Sequence, residues 1–219
     1  MDLTASFLPK PVANVNGNGC HTNMSIARKG KNIFYDKKGQ DGLSAFAWSF
    51  INRILANGND ICLILNSSVN SYRRLDPHFE APNQIKVSPS DRGSMIRIPI
   101  GIERTARIEV RSIAPDANPY LAIYALFRTG LEGPIVEEEG NDGKRPRTRF
   151  LPDNIYDAIR LFKASRYAQE LLGEPVHEKY AEVKLASAER CAKALGSRVK
   201  RSEIQFHHEV TNQYLWGQF

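Results

Sequence analysis

Apolar and polar residues follow two different periods along the chain. Across residues 106–110, Ala106, Ile108 and Val110 alternate with Arg107 and Glu109. A period of two turns the apolar set to one face of a strand and puts Arg107, Glu109 and Arg111 on the other. A second extended piece covers 94–98, and Pro99 with Gly101 between the two predicts the turn of a β-hairpin. Elsewhere the period is helical. Ser44 caps a helix carrying Phe46, Phe50, Ile51, Ile54 and Leu55, and Asn57-Gly58 ends it. Asn118-Pro119 reads as a cap and first-turn proline of another, which stops at Gly130 or Gly133. Further on, Asp153 or Asn154 starts a helix with Ile155, Ile159 and Phe162 on one face. Ser165 caps the next, which ends near Gly173. Pro175 opens a longer one through Tyr180, Val183, Lys184 and Ala188 toward Gly196. Packing alone accounts for these last helices.

The pattern predicts an α+β fold in three stretches. Residues 1–133 form a Gly-, Pro- and Asn-rich part with the strands, 134–151 a polar loop, and 152–219 a helical part of the same domain. With 42% apolar and 25% charged residues among 219, the composition is that of a soluble globular protein. No apolar run reaches the roughly 18 residues a membrane span needs, so no membrane partner is expected. Residues 1–7 carry neither a basic nor an apolar leader region. Cys20, Cys62 and Cys191 are odd in number and lack metal-ligand spacing, so a reducing, cytoplasmic location is expected.

The net charge of +6 admits two readings. One is nucleic acid; the other is a pocket for phosphates and carboxylates lined by arginines. The arginines lie within apolar or Gly/Pro-punctuated segments rather than in solvent-facing runs. The one compact basic run, 144–149, follows the acidic Glu137-Glu138-Glu139, as an exposed mixed-charge loop does. Aromatics interleaved with basic residues are not seen, so no nucleic-acid partner is expected.

Three segments carry candidate chemistry. In Asn16-Gly17-Asn18-Gly19-Cys20-His21, glycines and asparagines suit a backbone that approaches a ligand, and His21 heads an extended piece. A lone histidine after such a loop is more often structural than a metal ligand. The segment 70–82 reads as a proline-bounded loop with Arg73-Arg74 and, six residues after Arg74, Glu80. That is either a surface salt bridge or an anion site with a general base. The charged face Arg107, Glu109, Arg111, with Arg97 on the neighbouring strand and Arg92 just before it, surrounds one carboxylate with arginines. That excess of positive charge suits a polyanionic ligand with a metal.

In this order and spacing the segments resemble glutamine synthetase. The glycine loop resembles that family's Asn-Gly-x-Gly-x-His motif. Asn70-Ser71-Tyr72-Arg73-Arg74-Leu75 with Phe79-Glu80-Ala81-Pro82 resembles its glutamate loop. Arg92, Ile96-Arg97-Ile98-Pro99, Arg107-Ile108-Glu109-Val110-Arg111 and Pro115-Asp116-Ala117-Asn118-Pro119-Tyr120 resemble its arginine-rich strands and following helix. Phe7-Leu8-Pro9-Lys10-Pro11 resembles the strand leading into its site. The match is dense over 7–133 and loose beyond.

The resemblance implies part of a curved antiparallel sheet with helices behind it. It implies an ATP-dependent ligase that joins ammonia or another amine to the γ-carboxylate of glutamate through γ-glutamyl phosphate. His21 and Glu109 would ligate Mg²⁺ or Mn²⁺. Arg92 would act on the transferring phosphoryl group, with Ser25, Arg97 and Arg107 on the ATP side. Asn16, Gly17, Arg74 and Arg111 would hold glutamate, and Glu80 would deprotonate the ammonium. Asn23, two after His21, and Ser90, two before Arg92, depart from many members and leave the amine open. The family's N-terminal domain and its further glutamate ligands have no counterpart here, which implies a C-terminal portion of a ring-forming homo-oligomer, inactive by itself. The competing expectation is a non-catalytic relative with an oligomerisation or regulatory role.

Overall fold

A computed structural model describes residues 5–12, 15–135 and 148–189. Its main sheet has four strands in the order β1 (Thr22–Met24), β6 (Ile108–Val110), β5 (Ser94–Arg97) and β4 (Gln84–Ser88). A separate small ribbon pairs β2 (Ala27–Arg28) with β3 (Lys31–Asn32). The expected β5–β6 pairing is antiparallel, with Ile96 opposite Val110 and Arg97 opposite Glu109. The connection is longer than a tight hairpin, however: Ala106 and Thr105 N–H both donate to the Ile102 carbonyl, so the chain reverses at 102–105, beyond Pro99 and Gly101. β1 joins the other edge of β6 antiparallel, Asn23 facing Glu109. The strand β4 was not foreseen, and it runs parallel to β5, so the sheet is mixed.

The alternation across β6 works as expected. Ile108 and Val110 are fully buried with Met24 and Ile96 in the core. That core is shared with α1 (Ala45–Ala56), α2 (Gly58–Leu65) and α4 (Pro119–Glu132). Ser44 caps α1 by accepting from Ala47 N–H, and Asn118 caps α4 by accepting from Tyr120 and Leu121 N–H, as the sequence predicts. Two helices were missed. Helix α2 follows α1 directly, and α3 (Val69–Arg74) occupies part of the segment expected to be a loop. Residues 9–12 bend rather than extend, so the strand expected at Phe7-Leu8-Pro9-Lys10-Pro11 is absent.

The chain returns along the free side of β4, where Ile85 N–H donates to the Arg149 carbonyl and Leu151 N–H to the Asn83 carbonyl. Helix α5 (Ile155–Ala164) is capped by Asn154, α6 (Arg166–Leu172) by Ser165, and α7 (Glu174–Ala188) follows Gly173. Helix α5 packs on α2 and α7. The expected loop at 134–151 and the end of the last helix near Gly196 fall largely outside the described residues.

One close approach fixes how α1 and α4 pack. A Cβ on Gly130 would lie 2.2 Å from the Phe50 ring, which is itself in contact with Phe34 and Phe127. Gly130→Ala is therefore expected to lower unfolding stability by about 1–3 kcal/mol despite alanine's better helix propensity. A denaturant midpoint equal to or above wild type would contradict this packing.

Candidate active site

Helix α3 organises the site. It starts at a capping box in which Ser68 accepts from Ser71 N–H while the Ser71 hydroxyl lies at Ser68 N–H. Both hydroxyls donate to the partly buried Asp116 carboxylate, at 2.6 and 3.0 Å. Burial raises the Asp116 pKa and these two hydrogen bonds oppose the rise. Thus anchored, α3 presents Asn70 and Arg74 one turn apart on one face. Asn70 grips the Lys10 peptide on both sides: its Oδ1 accepts from Lys10 N–H at 2.6 Å and its Nδ2 donates to the Lys10 carbonyl at 3.0 Å. Arg74 donates to the carbonyls of Arg111 and Ile113, at 2.8 and 3.2 Å. Those partners are neutral, and Asp116 offsets the charge of Arg74 only from a distance. Burial drives its pKa down to about 10, with Arg111 adding to the shift. The surface salt bridge considered for the Arg73-Arg74 pair is overturned, because both side chains are buried.

The glycine loop fits against this arginine. A Cβ at Gly19 would lie 2.5 Å from an Arg74 guanidinium nitrogen and 2.8 Å from His21 Nε2. At Gly17 it would lie 2.4 Å from the Pro9 carbonyl oxygen. Close backbone approach is what these two positions need. Cys20 N–H donates to the Ile113 carbonyl and sets His21 at the head of β1.

On the exposed face of the sheet, β1 and β6 lay out the remaining residues. Asn23 and Glu109 are cross-strand neighbours, and Arg107 Nε donates to Asn23 Oδ1 at 2.8 Å, so Arg107 and Glu109 share one face as expected. Glu109 is 6% exposed and gathers three partners. His21 Nδ1 lies 3.0 Å from Oε1, Arg97 3.1 Å from Oε2, and Arg111 Nε 3.5 Å from Oε1. The His21 pKa is lowered, first by burial and then by Arg111 and Arg74, against the opposing pull of Glu109. A neutral imidazole beside a carboxylate is a donor pair that fits a hydrated Mg²⁺ or Mn²⁺. Among the described residues no group of three His, Cys, Asp or Glu could hold an ion, so the remaining ligands would be water, phosphate oxygens or other residues.

A cavity of about 200 Å³ joins the segments. Asn16, Gly17, Arg74, Arg111, His21 and Glu80 line it, with Gly19, Phe79, Ala81 and Pro82. Arg92 pairs with Glu80 at 2.6 Å at the rim, where both are more than half exposed, and Arg111 donates to the Arg92 carbonyl. Ser25, exposed just past β1, and Arg97 and Arg107 are outside the lining, farther along the sheet. Sequence reasoning gave no site role to Phe79 or Asn70. Gly19, already marked in the glycine loop, joins the lining two residues before His21, and Phe79 has only its adjacency to Glu80 as a signal.

The family model described as "Glutamine synthetase, catalytic domain" matches residues 1–207. The glutamine synthetase of Clostridium saccharobutylicum is 37% identical over 84% of this chain and 44% of its own length. That of Methanosarcina mazei is 38% identical over 80% of this chain and 42% of its own. Among solved structures, a GmaS/ADP complex superposes with a TM-score of 0.72 at 30% identity, over 90% of this chain and 48% of that one. Apo GmaS without ligand gives 0.69 at 29% identity, over 90% and 47%. The chain thus spans less than half the length of these relatives. Motif order, mixed sheet and family match agree, and the chain belongs to the glutamine synthetase family.

Proposed function

We propose that these residues form the glutamate- and phosphate-handling part of an ATP-dependent ligase joining glutamate to ammonia or another amine. The observation that carries this is the cavity where Asn16, Gly17, Arg74 and Arg111 meet His21 and Glu80, beside the Glu109 cluster. Arg74 and Arg111 hold the carboxylates of glutamate, whose negative charge offsets two partly buried guanidiniums. Asn16 and the Gly17 backbone orient the amino acid. Arg92 leaves Glu80 to neutralise the phosphoryl group as it passes from ATP to the γ-carboxylate. Glu80, freed from Arg92, accepts the proton of the incoming ammonium so that the neutral amine displaces phosphate. Ser25, Arg97 and Arg107 face the nucleotide. His21 and Glu109 would hold a Mg²⁺ or Mn²⁺ ion, which would supply charge neutralisation at the phosphates. Residues 1–133 and 152–219 act as one catalytic unit, completed in a homo-oligomeric ring by the family's N-terminal portion.

Two measurements test this. The 219-residue chain alone is expected to show no glutamate-dependent ATP hydrolysis, and co-expression with a family N-terminal half is expected to restore it. Robust turnover by the chain alone would contradict the shared-site reading. Mn²⁺ binding followed by electron paramagnetic resonance is expected to be weak and to disappear in His21→Ala/Glu109→Ala. Tight binding that survives both changes would remove the pair from the metal site.

A further inference from the structure

Lys10 lies outside the roles assigned above and does not itself line the cavity, yet its side chain is buried against Phe79, which does. Its peptide is fixed by Asn70, one helical turn before Arg74. Its ammonium donates to the Val15 carbonyl, next to Asn16 and Gly17. The same ammonium sits 3.5 Å from the centroid of the Phe79 ring, next to Glu80. Phe79 is aimed there by a local turn: His78 N–H donates to Asp76 Oδ1 at 2.9 Å and Phe79 N–H to the Asp76 carbonyl at 3.1 Å. Both Phe79 and Glu80 line the cavity, as do Asn16 and Gly17. One cation therefore touches both loops that supply lining to the cavity.

We propose that Lys10 is a positioning residue that fastens the Phe79-Glu80 loop to the Asn16-Gly17 loop and so holds the cavity closed at the width that fits its ligand. That ligand is glutamate if the function proposed above is right. A cation over a ring in a partly dry setting, with a carbonyl as its second partner, is a directional contact that an apolar side chain of equal length does not replace. Without it the loop bearing Glu80 samples open positions, and apparent affinity falls by the fraction of time spent open.

The test needs no ligand. Hydrogen exchange of the 219-residue chain would be followed at residues 15–19 and 76–82, with α1 and β6 as internal references. Lys10→Met is expected to speed exchange in both loops by roughly fivefold or more while α1 and β6 keep their rates. Lys10→Arg, which keeps a cation, is expected to stay near wild type. Phe79→Leu should reproduce the effect at 76–82, and Phe79→Tyr, which keeps the ring, should not. Should Lys10→Met fail to fold, the two Phe79 variants decide. Unchanged loop exchange in Lys10→Met, or equal acceleration in α1, would overturn the proposal, as would Phe79→Leu behaving like Phe79→Tyr. In a parallel calorimetric titration, Lys10→Met is expected to weaken glutamate binding about tenfold and leave ADP binding unchanged. Wild-type chain that binds no glutamate while the exchange pattern holds would overturn the ligand and leave the fastening in place.

Discussion

Glu109→Ala is expected to abolish glutamate-dependent ATP turnover in the complemented ligase, by at least about 10³-fold. Two effects add. The substitution removes one of the two proposed metal donors, and it removes the carboxylate that pairs with His21, Arg97 and Arg111. With the carboxylate gone, Arg111, whose side chain is 11% exposed, keeps the repulsion of Arg97 and loses its ion-pair partner Glu109. The chain should lose about 2–3 kcal/mol of stability, below the usual loss for a broken buried pair because Arg97 is 40% exposed and hydrated. Glu109→Gln should keep more of the stability than of the activity, since the amide oxygen still accepts from an arginine but carries no charge. Turnover within tenfold of wild type in Glu109→Ala would take this residue out of the reaction.

The second large effect is expected at Arg74. Arg74→Lys keeps a cation but cannot span the carbonyls of Arg111 and Ile113 with one planar fork. The loss should weaken glutamate binding by about 30–150-fold, the equivalent of roughly 2–3 kcal/mol for charge-assisted hydrogen bonds. Arg74→Met should weaken it at least as far and also loosen the glycine loop, which packs at Gly19 against the Arg74 guanidinium. Isothermal titration with glutamate separates these outcomes. Affinity unchanged in Arg74→Lys would mean that Arg74 supports the backbone and does not meet the ligand.

The site was more legible than the scaffold that builds it. Arg107, Glu109 and Arg111 could be put on one face because strand periodicity leaves no other choice once Ile108 and Val110 go inward. The family motifs then tied that face to His21 and Arg74. Helix α3 was hidden because its residues are polar and yet buried, so hydropathy reads Asn70-Ser71-Tyr72-Arg73-Arg74 as a loop. Its readable signal was Ser68 followed three residues later by Ser71, a capping pattern whose partner Asp116 is far away in sequence. Helix α2 was hidden for the opposite reason. Ile61 to Leu65 are buried all round and show no amphipathic stripe, and the Asn57-Gly58 stop of α1 is also where α2 begins. Strand β4 was simply overlooked: Ile85 and Val87 alternate with Gln84, Lys86 and Ser88 as plainly as β6 does. No local pattern reveals that it runs parallel to β5, since that depends on where the intervening chain crosses.

Arg74 hydrogen-bonded to carbonyls, with Arg97 and Arg111 sharing Glu109, makes this a place where the fold works against itself. Like charges are gathered at one point of the fold, as a site for an anionic ligand would need. Selection of this chain for heat resistance in the absence of ligand should accordingly enrich apolar or acidic replacements among these arginines, and the most heat-resistant descendants should be those that have stopped binding.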